Sequence, residues 1–415
     1  MRTAVHVSAG KLFQIAEAAL ANGDQATAER AYDALIADPS QEVRLEARFR
    51  LAMIEGKRGN LTRAATLLRQ VLDHRPEAAP VRLELASLLD RMGDKDGAWR
   101  QVRAAQAGGL PQPVVRIVDR YSEALRAQRP SGTSLEIALA PDSNINRATR
   151  SDTLGTVLGD FEIGDDGKAK SGTGLSLHAQ TYRRISLNND ASLLMSLSGT
   201  ADLYRQRDFN DIAADLAIGA EVGLGRDRLQ MEVGLSQRWF GQKPFLRSGR
   251  VVATFSHPLG SRTLLRLSGS AAKVDNQFNS LQDGRTFSAQ VGIERALTAT
   301  LGIAASGGID RQRLEEPAYS TTGWRGRLTG WRDMGRVTLT AAVDLGRLEA
   351  DERLLLFPRK RVDRYSRLSF GVTFRQLQWR GFAPVARVSF ERNKSRVEFY
   401  DYRRTRTEVG IARAF

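Results

Sequence analysis

From Thr133 to Phe415, apolar and polar residues alternate with a period of two, in runs of ten residues or more, and no other feature constrains the fold as tightly. Leu193, Met195, Leu197, Ala201 and Leu203 share one parity, with Ser192, Ser196, Ser198, Thr200 and Asp202 between them. Ile212 to Leu224, Leu229 to Leu235 and Val337 to Leu345 repeat the pattern. Such alternation describes a strand with one apolar face. Soluble strands average about five or six residues, whereas a tilted strand crossing a bilayer needs about 9–11. About fourteen spans follow, at 133–140, 172–185, 191–204, 209–224, 228–240, 248–256, 262–273, 285–295, 298–311, 320–333, 336–348, 364–376, 382–391 and 403–415. Gaps after odd spans tend to be long (141–171, 274–284, 312–319, 349–363, 392–402), and those after even spans are short, such as Gly225-Arg226-Asp227 and Ala296-Leu297. An outer-membrane barrel has long loops outside and short turns on the periplasmic side, and an even strand number puts both termini in the periplasm. Trp239, Phe240, Trp331, Trp379, Phe382, Phe399, Tyr400 and Tyr402 fall near span ends, as interfacial aromatic girdles require.

Residues 1–130 follow a different rule. Gly23, Gly59 and Gly93 recur at intervals of 36 and 34, with Ala28, Ala64 and Ala98 at the small position after each. Pro39 and Pro76 close two units. A period near 34 with a small residue in each helix contact resembles the tetratricopeptide repeat, in which stacked helix pairs bury one continuous core. Roughly two and a half repeats are visible, and a helix over 114–127 is expected to cap the array. The fold class is therefore an α + β membrane protein: tetratricopeptide-like helices over 1–130, then an antiparallel transmembrane β-barrel of about 14 strands over 131–415.

No run of about 18 apolar residues is present, so no transmembrane helix is expected. The first twenty residues hold no apolar stretch of signal-peptide type, so either the chain stays in the cytosol or the sequence begins after a removed leader; the barrel pattern favours the latter. Cysteine is absent and the four histidines are scattered, which excludes disulfides and thiolate sites and argues against a histidine metal centre. Of the net charge of +15, residues 1–130 carry +4 and the remainder +11, so the excess lies in the barrel and its loops, as at Arg359-Lys360-Arg361 and Arg403-Arg404. Such a barrel would contact anionic lipopolysaccharide outside or offer a lumen to acidic clients, whereas nucleic acid is not expected as a partner. Gly172-Thr173-Gly174 lacks the helix that a phosphate loop needs. Asp165-Asp166-Gly167 lacks the spaced ligands of a calcium loop and is expected to be solvated. His178 shares its parity with Ser176 and Gln180 and is expected to face the lumen. With no cofactor expected and no catalytic constellation, the chain is not expected to be an enzyme.

Two segments carry more specific information. Pro141, Asp142, Ser143, Asn144, Ile145 and Asn146 follow the first span, and the polar members are turn formers that bond their own backbone. The bland expectation is a rigid loop that shapes or plugs the barrel; the sharper one is a gate that touches a passing client. At the other end, Val409, Ile411 and Arg413 share the parity of the terminal Phe415. That pattern is similar to the signal by which barrel-assembly machinery recognises its clients, which marks Gly410, Ile411 and Phe415 for biogenesis. The string Ile137 to Thr149, together with Gly381-Phe382-Ala383-Pro384, Asn393-Lys394-Ser395 and Tyr400-Asp401-Tyr402, resembles the surface lipoprotein assembly modulator (Slam) family. The order of parts is similar as well. The resemblance implies an outer-membrane protein with its repeats in the periplasm. It implies a translocon or assembly factor acting on client lipoproteins or secreted proteins with a small β-barrel domain. The alternative is an export porin for polysaccharide or small solutes.

Overall fold

The computed structural model describes residues 7–92, 94–107, 131–188, 190–260, 262–334, 336–374, 377 and 382–413. The expected capping helix over 114–127, Gly93, Trp379, Gly381 and Phe415 lie outside the described residues.

Among the described residues, six helices open the chain: α1 (Ala9–Ala21), α2 (Gln25–Leu35), α3 (Gln41–Arg58), α4 (Leu61–His74), α5 (Ala79–Arg91) and α6 (Lys95–Ala107). They form three antiparallel pairs, half a repeat more than the glycine spacing marks, because α1 precedes the first glycine and carries its own apolar face of Leu12, Phe13, Ala16 and Ala19. Gly23 (φ 77°) and Gly59 (φ 89°) hold left-handed conformations that end α1 and α3 at little steric cost. Ala28, Ala64 and Ala98 are fully or almost fully buried at the helix contacts, and Leu35, Leu51, Leu68, Leu85 and Leu89 fill the continuous core between them. An ion network ties α2 to the next pair: Glu29 accepts from Arg58 at 2.5 Å and from Arg63 at 3.1 Å, and Arg63 also reaches the buried Glu55 at 2.9 Å.

The barrel strands are β1 (Ser131–Asp142), β4 (Gly172–Ser186), β5 (Ala191–Tyr204), β6 (Asp211–Leu224), β7 (Asp227–Phe240), β8 (Lys243–Pro258), β9 (Thr263–Asn276), β10 (Gly284–Ala296), β11 (Leu301–Leu314), β12 (Thr321–Met334), β13 (Val337–Ala350), β14 (Val362–Phe374), β15 (Phe382–Ser395) and β16 (Tyr402–Arg413). A short hairpin of β2 (Thr153–Thr156) and β3 (Gly159–Glu162) stands apart in the loop after β1. Each barrel strand pairs with its neighbours in sequence, and β1 pairs with both β4 and β16, so the sheet closes as a barrel of fourteen antiparallel strands.

Burial is inverted relative to a soluble protein. Leu139, Leu197, Leu216, Leu235, Ile309, Leu328 and Val409 are exposed on the outside, whereas Asp142, Ser176, Glu391, Arg404, Arg406 and Glu408 are buried on the inside. An apolar exterior around a polar interior suits a lipid solvent, and closure leaves no unpaired strand edge within it. The longer connections 143–171, 277–283, 315–320 and 351–361 lie at one end, together with the two-residue turn 241–242, and the short connections 187–190, 225–226, 259–262 and 297–300 lie at the other.

Two details depart from the sequence expectation. The sixth span is longer than 248–256, since β8 starts at Lys243 after a two-residue turn at Gly241-Gln242 with both residues left-handed (φ 56° and 66°). That geometry is the tight hairpin turn matched to strand twist. Pro244 and a register shift at Arg238/Trp239 hide the alternation there. Trp331 and Tyr402 also sit on the inward parity rather than in a lipid girdle. Trp331 lines the mouth at the short-turn end, and the Tyr402 hydroxyl donates to Glu391 at 2.5 Å.

Candidate functional site at the barrel seam

Closure requires the first and last strands to meet, and the signature segment lies at that junction. The β1–β4 ladder is continuous from Ser131↔Arg183 to Asp142↔Gly172. The β1–β16 ladder instead runs from Glu136↔Ala412 to Leu139↔Val409, breaks, and resumes at Asp142↔Arg406. Pro141 lies in the break and has no N–H to donate. Ala138 faces Gly410 across the seam. A Cβ on Gly410 would stand 2.0 Å from the Ile137 carbonyl oxygen and 2.5 Å from Ala138 Cα, so only glycine permits the approach.

Past the break, side chains take over from the ladder. Ser143 donates its backbone N–H to the Thr405 carbonyl at 3.0 Å, and its hydroxyl accepts the Thr405 N–H at 2.8 Å. Asn144 is fully buried; its amide donates to the carbonyls of Ala148 (2.9 Å) and Arg403 (3.1 Å), and its oxygen accepts the Ala148 N–H at 3.0 Å. Asn146 donates to the Lys168 carbonyl at 2.7 Å and accepts the Lys170 N–H at 3.0 Å, while Ile145 donates to the Lys170 carbonyl at 2.7 Å. The segment thus ties β1, β16 and the returning half of its own loop into one body. These bonds satisfy backbone groups that an interrupted seam would leave open.

Inside the wall, the same segment anchors a chain of charges. The Asp142 carboxylate is wholly shielded and accepts the Arg404 Nε at 2.8 Å together with one of that guanidinium's terminal nitrogens. Its other oxygen accepts the Asn144 N–H at 2.9 Å, and the Tyr204 hydroxyl stands 3.5 Å from the oxygen that holds Arg404. One level further in, Arg406 grips Asp202 with two nitrogens at 2.6 and 2.8 Å, donates to Ser176 at 2.8 Å and to Glu408 at 3.0 Å. Arg387 then links Glu408 (2.7 Å) to Glu136 (3.3 Å). The network crosses β15, β16, β1, β4 and β5 and holds the seam from the lumen side. Fork-shaped guanidinium contacts to carboxylates are both strong and geometrically specific.

Pro141 to Asn146 therefore converge with Gly410 at the seam, while Ile411 shows its side chain outward on the lipid-facing parity. Phe415, proposed from sequence as part of the assembly signal, lies outside the described residues. His178 comes within 3.4 Å of Ser176 Oγ, at the edge of the network. Asp165 lies in a single turn of 3-10 helix, with the Lys168–Asp152 pair at 2.7 Å beside it. Among the described residues, no group of three metal-ligating side chains converges. The sequence reading missed Arg404, Arg406, Glu408, Asp202 and Ser176. Their signal was present as polar residues on the parity opposite Val409 and Leu203, but which strand they meet depends on closure.

A second junction lies at the short-turn end. Arg103 of α6 forms an ion pair with Glu294 of β10. Beside it is a cavity of about 220 Å³ lined by Arg100, Ala104, Thr298, Leu301, Trp331 and Asp333 among others. The helical array is thus seated at the mouth that carries the short turns.

The sequence profile of the surface lipoprotein assembly modifier family matches residues 133–415, and that of a tetratricopeptide repeat matches 46–78. The chain is similar to a surface lipoprotein assembly modifier of Pasteurella multocida (strain Pm70), 25% identical over 97 residues, covering 23% of this chain and 19% of that protein. It is similar to another from Moraxella catarrhalis, 29% identical over 144 residues, covering 32% and 28%. The matched stretches thus span less than a third of either relative's length. Among solved structures, a Pseudomonas aeruginosa FadL homologue shares 10% identity at a TM-score of 0.38 over 70% of this chain and 90% of that one, a likeness too slight to argue from. The closed barrel, the repeats at its short-turn mouth and the profile match over 133–415 agree: the chain belongs to the surface lipoprotein assembly modifier family and is an outer-membrane barrel with its helical repeats on the periplasmic side.

Proposed function

We propose that this protein delivers surface lipoproteins, or related secreted proteins with a small β-barrel domain, across the outer membrane. The observation that carries the reading is the seating of the repeat array on the periplasmic mouth through Arg103 and Glu294, in a chain of this family. The repeats hold the client before entry, as repeat surfaces commonly do. The barrel supplies the passage or the folding platform, and the protein acts without catalysing a reaction. Folding of the client outside, or handover by other machinery, supplies the driving force. The seam segment Pro141 to Asn146 keeps the barrel closed at rest, and the last strand with Gly410, Ile411 and Phe415 is read by barrel-assembly machinery during insertion.

The test is client display. The protein, carrying a secretion leader, is expressed with a candidate client lipoprotein, and protease accessibility of that client is scored on intact cells, with and without residues 1–130. Exposure that depends on the barrel, and is lost on truncation, supports the reading. A client that stays shielded while the inserted barrel conducts ions constitutively refutes it and favours an export porin.

A further inference from the structure

The outward face of the barrel at its outer end carries cations in an arrangement that strand pairing alone does not favour. Lys273 of β9 lies directly opposite Arg285 of β10, and Arg285 directly opposite Arg313 of β11. A second row repeats this on the other flank: Arg347 of β13 faces Arg364 of β14, which faces Lys394 of β15. Like charges placed directly opposite destabilise a strand pair. All six share the parity of lipid-facing residues (Leu267, Phe287, Ile309, Leu345, Leu368, Phe390), and all six are exposed. Arg347 has Glu349 at 3.1 Å. Among the described residues, Lys273, Arg285, Arg313, Arg364 and Lys394 form no ion pair within 4 Å; the carboxylate of Asp351, whose charge acts on Arg313, is itself held by Arg311 at 2.6 Å.

Below the first row, the exterior is hollowed into an apolar groove of about 720 Å³, walled by Leu267, Val291, Ile309 and Trp324 over a floor that includes Gly269 and Gly307. From Gly269 to Lys273 and from Ile309 to Arg313 is four residues along a strand, so the cations stand ~13 Å from the groove along the strands and, with the tilt of barrel strands, about 10 Å outward of it. Anionic groups above and hydrocarbon below, at that spacing, describe a phosphorylated amphiphile of the outer leaflet.

We propose that these two rows bind the phosphate groups of outer-leaflet lipopolysaccharide, with its acyl chains lying in the groove under Lys273, Arg285 and Arg313. The fixed cations replace the mobile divalent ions that otherwise bridge neighbouring phosphates. The site depends on the outer-membrane location of the barrel and not on client export, so the two readings fail separately.

The experiment uses the full chain in detergent micelles, with bis-phosphorylated lipid A, its dephosphorylated counterpart and phosphatidylglycerol as probes, and retention read by native mass spectrometry. Wild type is expected to retain lipid A at least tenfold better than the variant Lys273→Ser/Arg285→Ser/Arg313→Ser. A control losing the same charge at Arg226, Arg262 and Arg336 on the periplasmic turns is expected to match wild type. Equal retention by wild type and the rim variant, or equal retention of the dephosphorylated glycolipid or phosphatidylglycerol, overturns the proposal. Should the serine variant fail to insert, the salt dependence of wild type decides. Lipid A release that rises with ionic strength upholds the phosphate contacts, and salt-independent retention removes them.

Discussion

Asp142→Ala tests whether the seam is held by the buried charge network. Asp142 is wholly shielded, and among the described residues its removal leaves the buried Arg404 with only Glu391, at 3.9 Å, as an ion-pair partner. It also deprives the Asn144 N–H of its acceptor at 2.9 Å. Breaking one side of a buried ion pair costs about 3–5 kcal/mol, because the stranded charge can no longer be compensated. That corresponds to a roughly hundredfold to several-thousandfold fall in the folding equilibrium constant, since 1.4 kcal/mol is about tenfold. The assay is reversible urea unfolding of the barrel in micelles, followed by tryptophan fluorescence. The paired variant Asp142→Leu/Arg404→Met separates the stranded charge from lost packing. Replacing both partners with apolar residues of similar volume is often near neutral or stabilising, so the double variant should be more stable than Asp142→Ala. A cost below about 1 kcal/mol for Asp142→Ala, or a double variant no better than the single one, would refute the reasoning.

Three further outcomes follow from named contacts. Gly410→Val should slow or prevent insertion, because its Cβ would stand 2.0 Å from the Ile137 oxygen; heat-modifiable migration on a denaturing gel reads this, and a folded band at wild-type yield would contradict it. Arg103→Glu should loosen the repeats from the mouth, lowering the yield of a cross-link between cysteines placed at Ala104 and Thr298, and Glu294→Arg added to it should restore that yield. At Glu29, burial raises the carboxyl pKa, but the Arg58 hydrogen bond and the charges of Arg58 and Arg63 outweigh it and hold the group below its ordinary 4.5. A carboxylate depressed in the folded state contributes stability that is present above the unfolded value and lost as pH falls through the folded one. Helical-domain melting followed by circular dichroism should therefore decline below about pH 4.5, and Glu29→Gln should flatten that decline.

Much of this molecule was legible in the chain itself. Strand number and the side facing lipid follow from a period of two, because a pleated strand gives every second residue the same solvent. Gly23, Gly59 and the alanines that follow them fixed the helix pairs, since a left-handed turn and close helix contact admit few other residues. The six residues from Pro141 to Asn146 could be marked as a structured turn, yet their partners could not. Thr405, Arg403 and Arg404 lie some 260 positions away in the chain. Only closure of the barrel brings Asp142 against Arg404 and Gly410 against Ala138, and only docking of the helical array on the mouth brings Arg103 against Glu294. The same holds for the outer cation rows, whose members are single basic residues in sequence and become rows only through register. Local periodicity records which solvent each face meets; pairing between distant strands is a property of the closed sheet, and the charges that settle its seam are decided there.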